Sequence, residues 1–177
     1  IKSGEPIAMT VDQWTTFKTN LAKVDLPSLT NASVTVTGVT AAGISALSAD
    51  TYVDAINVAT GTNITAAYSS TWQSAFMKVT NLGAANLTLT DVPAAQALSL
   101  LNAYSNISQI NLVSGAELEV SAFGLDASKK ALLDKINGIV KVVDATTANL
   151  LTTSLKDLQI YVSMKSVAMV PKGGCDD

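Results

Sequence analysis

A chain of 177 residues with 48% hydrophobic content has the material for a substantial core and can bury about 70% of the surface its unfolded form exposes. Charged residues make up only 14%, against about 25% in an ordinary soluble domain, so uncharged Thr, Ser and Asn must carry the contact with water. The net charge of −3, the pI of about 4.8 and the lack of any Arg or His exclude the basic stripe of a nucleic-acid reader and His-based nucleophile–base pairs.

In chain order, small-residue–Gly pairs punctuate the sequence at Ser3-Gly4, Thr60-Gly61 and Ser114-Gly115, spaced 57 and 54 residues apart, with a further boundary near Gly173-Gly174. Regular spacing of this kind is the signature of a repeat array. Ile1-Lys2 reads as the tail of a strand from a preceding unit. Pro6-Ile7-Ala8-Met9-Thr10-Val11 then alternates as a half-buried strand does. Trp14, Phe17, Leu21 and Val24 follow at helical spacing and give one apolar face to lay on a sheet. Leu26 to Asn31 reads as a surface loop. Ser33-Val34-Thr35-Val36-Thr37-Gly38-Val39 is a second, strictly alternating strand, Thr40-Ala41-Ala42 opens a second helix, and Asp54 to Gly61 supplies a third strand.

The same five elements recur. Asn63 to Ala67 predicts a strand, Trp72, Phe76 and Val79 a helical stripe, and Asn86 to Val92 the alternating strand. Pro93-Ala94-Ala95 opens a helix whose first turn suits proline, with Asp91 placed to help cap it, and Ser108 to Gly115 is the closing strand. In the third copy Glu117 to Ser121, Leu125, Leu132 and Ile136, then Ile139 to Ala145 take the first three places, with Lys129 and Lys130 on the polar side of the helix. Asp144 stands where Asp91 does, Ala148, Leu151, Leu155 and Leu158 form the second helical stripe, and Ser166 to Val170 closes the unit.

Strands joined through helices favour right-handed parallel crossovers, whereas the Ser/Thr-Gly link between units is too short for one and must be a hairpin or a bend. The predicted fold is therefore α/β, three tandem βαβαβ repeats of about 54 residues at 3–60, 61–114 and 115–173 with a tail at 174–177. The repeats would stack as a β-α solenoid; a compact mixed α/β domain is the alternative.

Val142-Val143-Asp144-Ala145-Thr146-Thr147-Ala148-Asn149-Leu150 resembles the Val-x-Asp-Thr-Ala-Ala-Asn motif of very long secreted bacterial exoproteins. Val34 to Ala42 resembles the partner half of that repeat, and Gly4-Glu5-Pro6-Ile7-Ala8-Met9-Thr10 its opening, so the resemblance covers most of Ser3 to Met169. It implies type I secretion and a role as an adhesin, a surface-layer-like coat or a matrix component. The partners it implies are neighbouring repeats of the same or identical chains and a surface protein or carbohydrate. The glycine-aspartate nonapeptides that bind calcium in many such proteins do not occur here.

Chemistry-bearing motifs are sparse. Cys175 lies in the tail, where it reads as an exposed thiol or an intermolecular attachment point. Neither a Cys/His zinc set nor a phosphate-loop spacing occurs, so no catalytic, cofactor-binding or metal-binding residue is assigned, and no cofactor is expected. Asp50 with Asp54, and Glu117 with Glu119, read as solvated charge and not as an acid–base dyad, which would need a cleft that raises one pKa. A Ser–Lys dyad is the remaining enzymatic alternative, and no residue pair points to one. Thr35, Thr37, Thr88 and Thr90 suit strands and also the flat ladders that bind ice or carbohydrate. Trp14 and Trp72 read as core before sugar-stacking platforms, and Asn31, Asn63, Asn86 and Asn106 open Asn-x-Ser/Thr sequons. No run reaches the roughly 20 apolar residues of a membrane helix. The opening at Ile1 without a signal-peptide pattern reads as a mature product or an excised fragment. Together these features predict a non-catalytic structural or adhesive module of a bacterial surface protein, with a self-assembling coat or filament subunit as the alternative.

Overall fold

The computed structural model describes residues 6–21, 33–143 and 167–169. It is a mixed α/β structure with parallel strands, four α-helices among the described residues and no closed barrel. The chain divides into two units, Ile1–Leu87 and Thr88–Asp177.

The first unit opens with β1 (Pro6–Thr10), and α1 (Val11–Leu21) follows with no linker. A reciprocal capping box makes this sharp junction: Thr10 Oγ1 accepts the Gln13 N–H at 3.3 Å, and Gln13 Oε1 accepts the Thr10 N–H at 2.9 Å. Donors that a helix start would leave unpaired are thus satisfied locally. α1 packs on β1 and β2 (Ser33–Val39), with Trp14 only 3% exposed.

β2 is the middle of a parallel sheet. Ile7 and Met9 of β1 lie opposite Val34 and Val36, and Val36 lies opposite Ile56 of β3 (Ala55–Val58). Val34, Val36 and Val39 are fully buried, each contributing about 1.5–3 kcal/mol, while Thr35 and Thr37 face the other way, half-buried. Strict alternation would turn Val39 outward. Gly38, at φ +71°, prevents this by shifting the register between Thr37 and Val39, so that Val39 returns to the core. α2 (Ala41–Ala49) starts close to that core face: a Cβ added at Gly43 would stand 3.2 Å from the Val39 methyl. All-parallel sheets are usually covered on both faces; here the second face mixes Ser33, Thr35, Thr37 and Asn57 with Pro6, Ala8 and Ala55.

After β3 the chain turns at Gly61, φ +76°, into β4 (Asn63–Ala67). β3 and β4 belong to different sheets, so the Thr60-Gly61 link is a bend between sheets and not a hairpin. The sequence stripe of Trp72, Phe76 and Val79 predicts a helix, but the structure forms a 3-10 segment over Trp72–Phe76 and pairs Val79 with Ile56 as a parallel bridge. The backbone bonds explain the change. Ile56 N–H donates to Lys78 O at 2.7 Å and Thr80 N–H to Ile56 O at 3.0 Å, which requires extended chain at 78–80 and ends any helix before it.

In the second unit, β5 (Asn86–Val92), which begins at the end of the first, repeats the burial of β2: Leu87, Leu89 and Val92 are fully buried and Thr88 and Thr90 half-buried. Asp91 takes the place of Gly38, at φ +57°. It therefore does not cap α3 (Ala94–Ala103) as expected; its carboxylate accepts the Thr90 hydroxyl, and Pro93 stands at the helix start. β6 (Ile107–Leu112), a turn at Gly115 with φ +77°, and β7 (Glu117–Ser121) follow, again in different sheets. α4 (Ala127–Leu133) is capped by Asp126, whose carboxylate accepts the Lys129 N–H at 2.8 Å. It buries Leu133 and leaves Leu132 half-buried, a shift of one from the expected stripe. Ile136 is buried, but in β8 (Ile136–Asn137), paired parallel to β6.

β9 (Ile139–Val143) pairs parallel with β7 on one side and with β10 (Val167–Met169) on the other. The sheet orders are β1-β2-β3, β4-β5-β6-β8 and β7-β9-β10. The predicted Ile1-Lys2 strand tail, Val24, the Leu26 to Asn31 loop, Asp144, the Ala148 to Leu158 stripe, Gly173-Gly174 and Cys175 lie outside the described residues.

Backbone hydrogen bonds recur at matched places. Ala59 N–H donates to Val39 O at 3.1 Å, and Val113 N–H to Val92 O at 3.0 Å. Ile56 N–H reaches Lys78 O at 2.7 Å, and Ile110 N–H reaches Lys135 O at 2.8 Å. At the corners, Thr62 N–H meets Ala59 O at 3.1 Å and Ala116 N–H meets Val113 O at 2.9 Å.

Candidate functional site

Open parallel sheets bind ligands beyond the carboxyl ends of their strands, and the first unit has a cleft there. It holds about 420 Å³ between the ends of β1 and β2 and the starts of α1 and α2, and is lined by residues including Thr10, Asp12, Thr37, Gly38, Thr40 and Gly43. Its chemistry is limited. The α1 start is engaged in its own capping box, and Asp12 in the first turn opposes an anion that the two helix dipoles would otherwise favour. The alternating strands predict such a cleft only in general, since any two successive strand-to-helix junctions of a parallel sheet produce one.

The acidic pairs singled out in the sequence have structural roles. Asp54 Oδ2 accepts the Val34 N–H at 2.8 Å and Asp54 N–H donates to Val34 O at 2.9 Å, closing the end of β2. Asp50 follows α2, where its carboxylate meets Lys18 Nζ at 2.5 Å and the Tyr52 N–H at 3.1 Å. Its burial would raise the pKa, but the Lys18 hydrogen bond, the Tyr52 N–H and the charges of Lys18 and Lys78 more than offset this and hold it below its ordinary value. Glu117 pairs with Lys141, and Glu119 lies opposite Lys141 in the β7–β9 register. The two aspartates are thus engaged separately, whereas Glu117 and Glu119 both lie beside Lys141. Among the described residues, no three His, Cys, Asp or Glu side chains gather, and no helix is long and apolar enough to cross a membrane.

Trp14 and Trp72, 3% and 8% exposed, belong to the core and offer no stacking platform. Asn86 Nδ2 donates to Asn63 Oδ1 at 3.2 Å, linking two sequon asparagines side by side on the polar sheet face. Asn57 with Thr80, and Asn111 with Asn137, make similar cross-strand contacts. Sequence reasoning did not pick out the second members of these pairs. Their signal is the Lys-apolar-polar triplet Lys78-Val79-Thr80 and its counterpart Lys135-Ile136-Asn137.

No protein-family model, curated protein or solved structure matches the chain.

Proposed function

We propose that the chain is a run of three tandem βαβαβ repeats, stacked as a β-α solenoid and serving as a non-catalytic structural and adhesive module of a secreted bacterial surface protein. The observation that carries the repeat is the recurrence of one hydrogen-bond set. Val39 with Ala59 and Val92 with Val113 close the same junction, and Ile56 with Lys78 and Ile110 with Lys135 recruit the same extra strand. The identical burial of β2 and β5 supports it at side-chain level.

The surface role rests on the Val-x-Asp-Thr-Ala-Ala-Asn resemblance and on a composition poor in charge and rich in Thr, Ser and Asn. Exposed Asn–Asn and Asn–Thr contacts in each unit suit a module that stays hydrated without many charges. Antibody labelling of intact source cells, before and after protease shaving, tests it. The reading expects a surface signal that shaving removes; a signal that appears only after permeabilisation overturns it.

A further inference from the structure

We propose that Asn137-Gly138 is a self-modifying site, where the chain converts its own asparagine to aspartyl and isoaspartyl residues and so loosens β8 from β6. Of the eleven asparagines, Asn137 alone precedes glycine; the others precede Ala, Val, Leu or Ile, whose side chains crowd the next amide nitrogen. Glycine leaves that nitrogen unshielded. The fold keeps it accessible. Asn137 is the last residue of β8, and Gly138 lies outside any strand, at the bend before β9. Both residues are exposed. Among the described residues the Gly138 N–H has no hydrogen-bond partner, so no ladder bond holds it away from the preceding side chain. The Asn137 carboxamide makes a long contact, Nδ2 to Asn111 Oδ1 at 3.4 Å. The first unit has Thr80-Asn81 at the matching place, and Thr80 carries no carboxamide to react.

The chemistry needs only water. The Gly138 nitrogen attacks Cγ of Asn137, its proton leaves with Nδ2 as ammonia, and a succinimide ring closes. Water then adds across one of the two imide C–N bonds. Opening at Cγ gives an aspartate. Opening at the main-chain carbonyl gives an isoaspartate, whose backbone runs through Cβ and Cγ and is one atom longer. Neither product can donate to Asn111 Oδ1, because a carboxylate has no N–H. The longer backbone also meets a tight place, since even a Cβ added at Gly138 would come within 2.9–3.0 Å of Leu112. The contact that gives way is the pairing of Asn137 with Asn111, one of two register pairs that join β8 to β6.

Ageing the full folded chain at mildly alkaline pH, beside a sample unfolded in urea, tests the proposal. Peptide mapping by mass spectrometry, with aspartyl and isoaspartyl forms separated by chromatography, reads every asparagine. Asn137 is expected to be lost first, into both products, at a rate of the same order in the folded as in the unfolded sample. An Asn137 that stays intact in the folded chain while the unfolded chain reacts, or another asparagine that reacts before it, overturns the proposal. Hydrogen exchange in Ile107–Leu112 is expected to rise in the aged wild type, as local opening of the β6–β8 pairing requires. It should not rise in aged Asn137→Thr, which carries the residue of the first unit. Equal exchange in fresh and aged wild type, with Asn137 converted, removes the loosening of β8.

Discussion

Asp91 holds φ +57° in β5 where β2 has Gly38 at φ +71°, and the two residues solve one geometric problem. The third apolar residue of each strand lies three positions after the second, so alternation must slip once to bury it. A left-handed residue provides the slip, and Asp and Asn tolerate that region better than other side chains do. Asp91→Gly should keep or slightly raise stability. Asp91→Val should lower it by about 1–2 kcal/mol, read as a fall in the urea midpoint; equal midpoints for the two variants would remove the role assigned to this residue. A second residue-scale prediction concerns Asp50. Its pKa is held below the ordinary 3.8, so the unfolded chain binds more protons as the pH drops. The resulting stability is fully present above 3.8 and is lost as pH falls from there through the lower folded value. The midpoint difference between wild type and Asp50→Asn should thus be largest near neutrality and shrink in acid. Lys18 is 46% exposed, so solvent screening keeps the effect small.

At the scale of elements, close approaches decide which substitutions are tolerated. Gly138, between β8 and β9, has φ +150°, and a Cβ there would come within 2.9–3.0 Å of Leu112, including its Cβ, an atom that cannot swing away. Gly138→Ala should therefore cost about 1–3 kcal/mol, measurable by thermal or urea denaturation. Ser48, on α2, is the opposite case: its hydroxyl is buried without a hydrogen-bond partner beside the groove shared with Ile64 and Phe76. Ser48→Ala should be neutral or stabilising by about 1 kcal/mol, and a clear loss of stability would mean the hydroxyl has a role in that groove. The bounds of β2 and β5 were legible in the sequence, because Val or Leu alternates with Thr up to Gly38 and Asp91, where the alternation slips. The helices after them were legible through the short Ala-rich openings that follow. Of the segments between first and middle strands, α1 followed its sequence stripe, α4 did so with a shift of one, and the second copy did not. Trp72, Phe76 and Val79 fit a helical period, yet the backbone pairing of Ile56 with Lys78 and Thr80 is non-local and overrides it, as the pairing of Ile136 with Ile110 does in β8. Asp91 was misread for a related reason: a residue just before a helix suggests a cap, whereas the left-handed backbone at Asp91 that leaves Val92 buried is fixed first. The cleft beyond β1 and β2 was not foreseen at all, because it is a property of two adjacent junctions and not of any motif.

For the whole molecule, the repeat reading makes a statement about cooperativity that a single compact domain would not. In a stacked array each unit meets only its sequence neighbours, so stability is close to a sum of unit and interface terms and a local defect is felt most where it is made. Leu89 is fully buried in the middle of β5, and Leu89→Ala should cost about 2–5 kcal/mol through lost burial and the cavity left behind. Hydrogen exchange followed by mass spectrometry then separates the two architectures. An array expects the largest gain in exchange in β5 and β6, with β1 least affected. A compact domain that unfolds in one step would lose protection by the same free energy in every strand that exchanges through global unfolding, β1 and β9 included. Uniform loss would therefore remove the solenoid and leave the mixed α/β fold, with its matched hydrogen bonds, as a local likeness within one cooperative core.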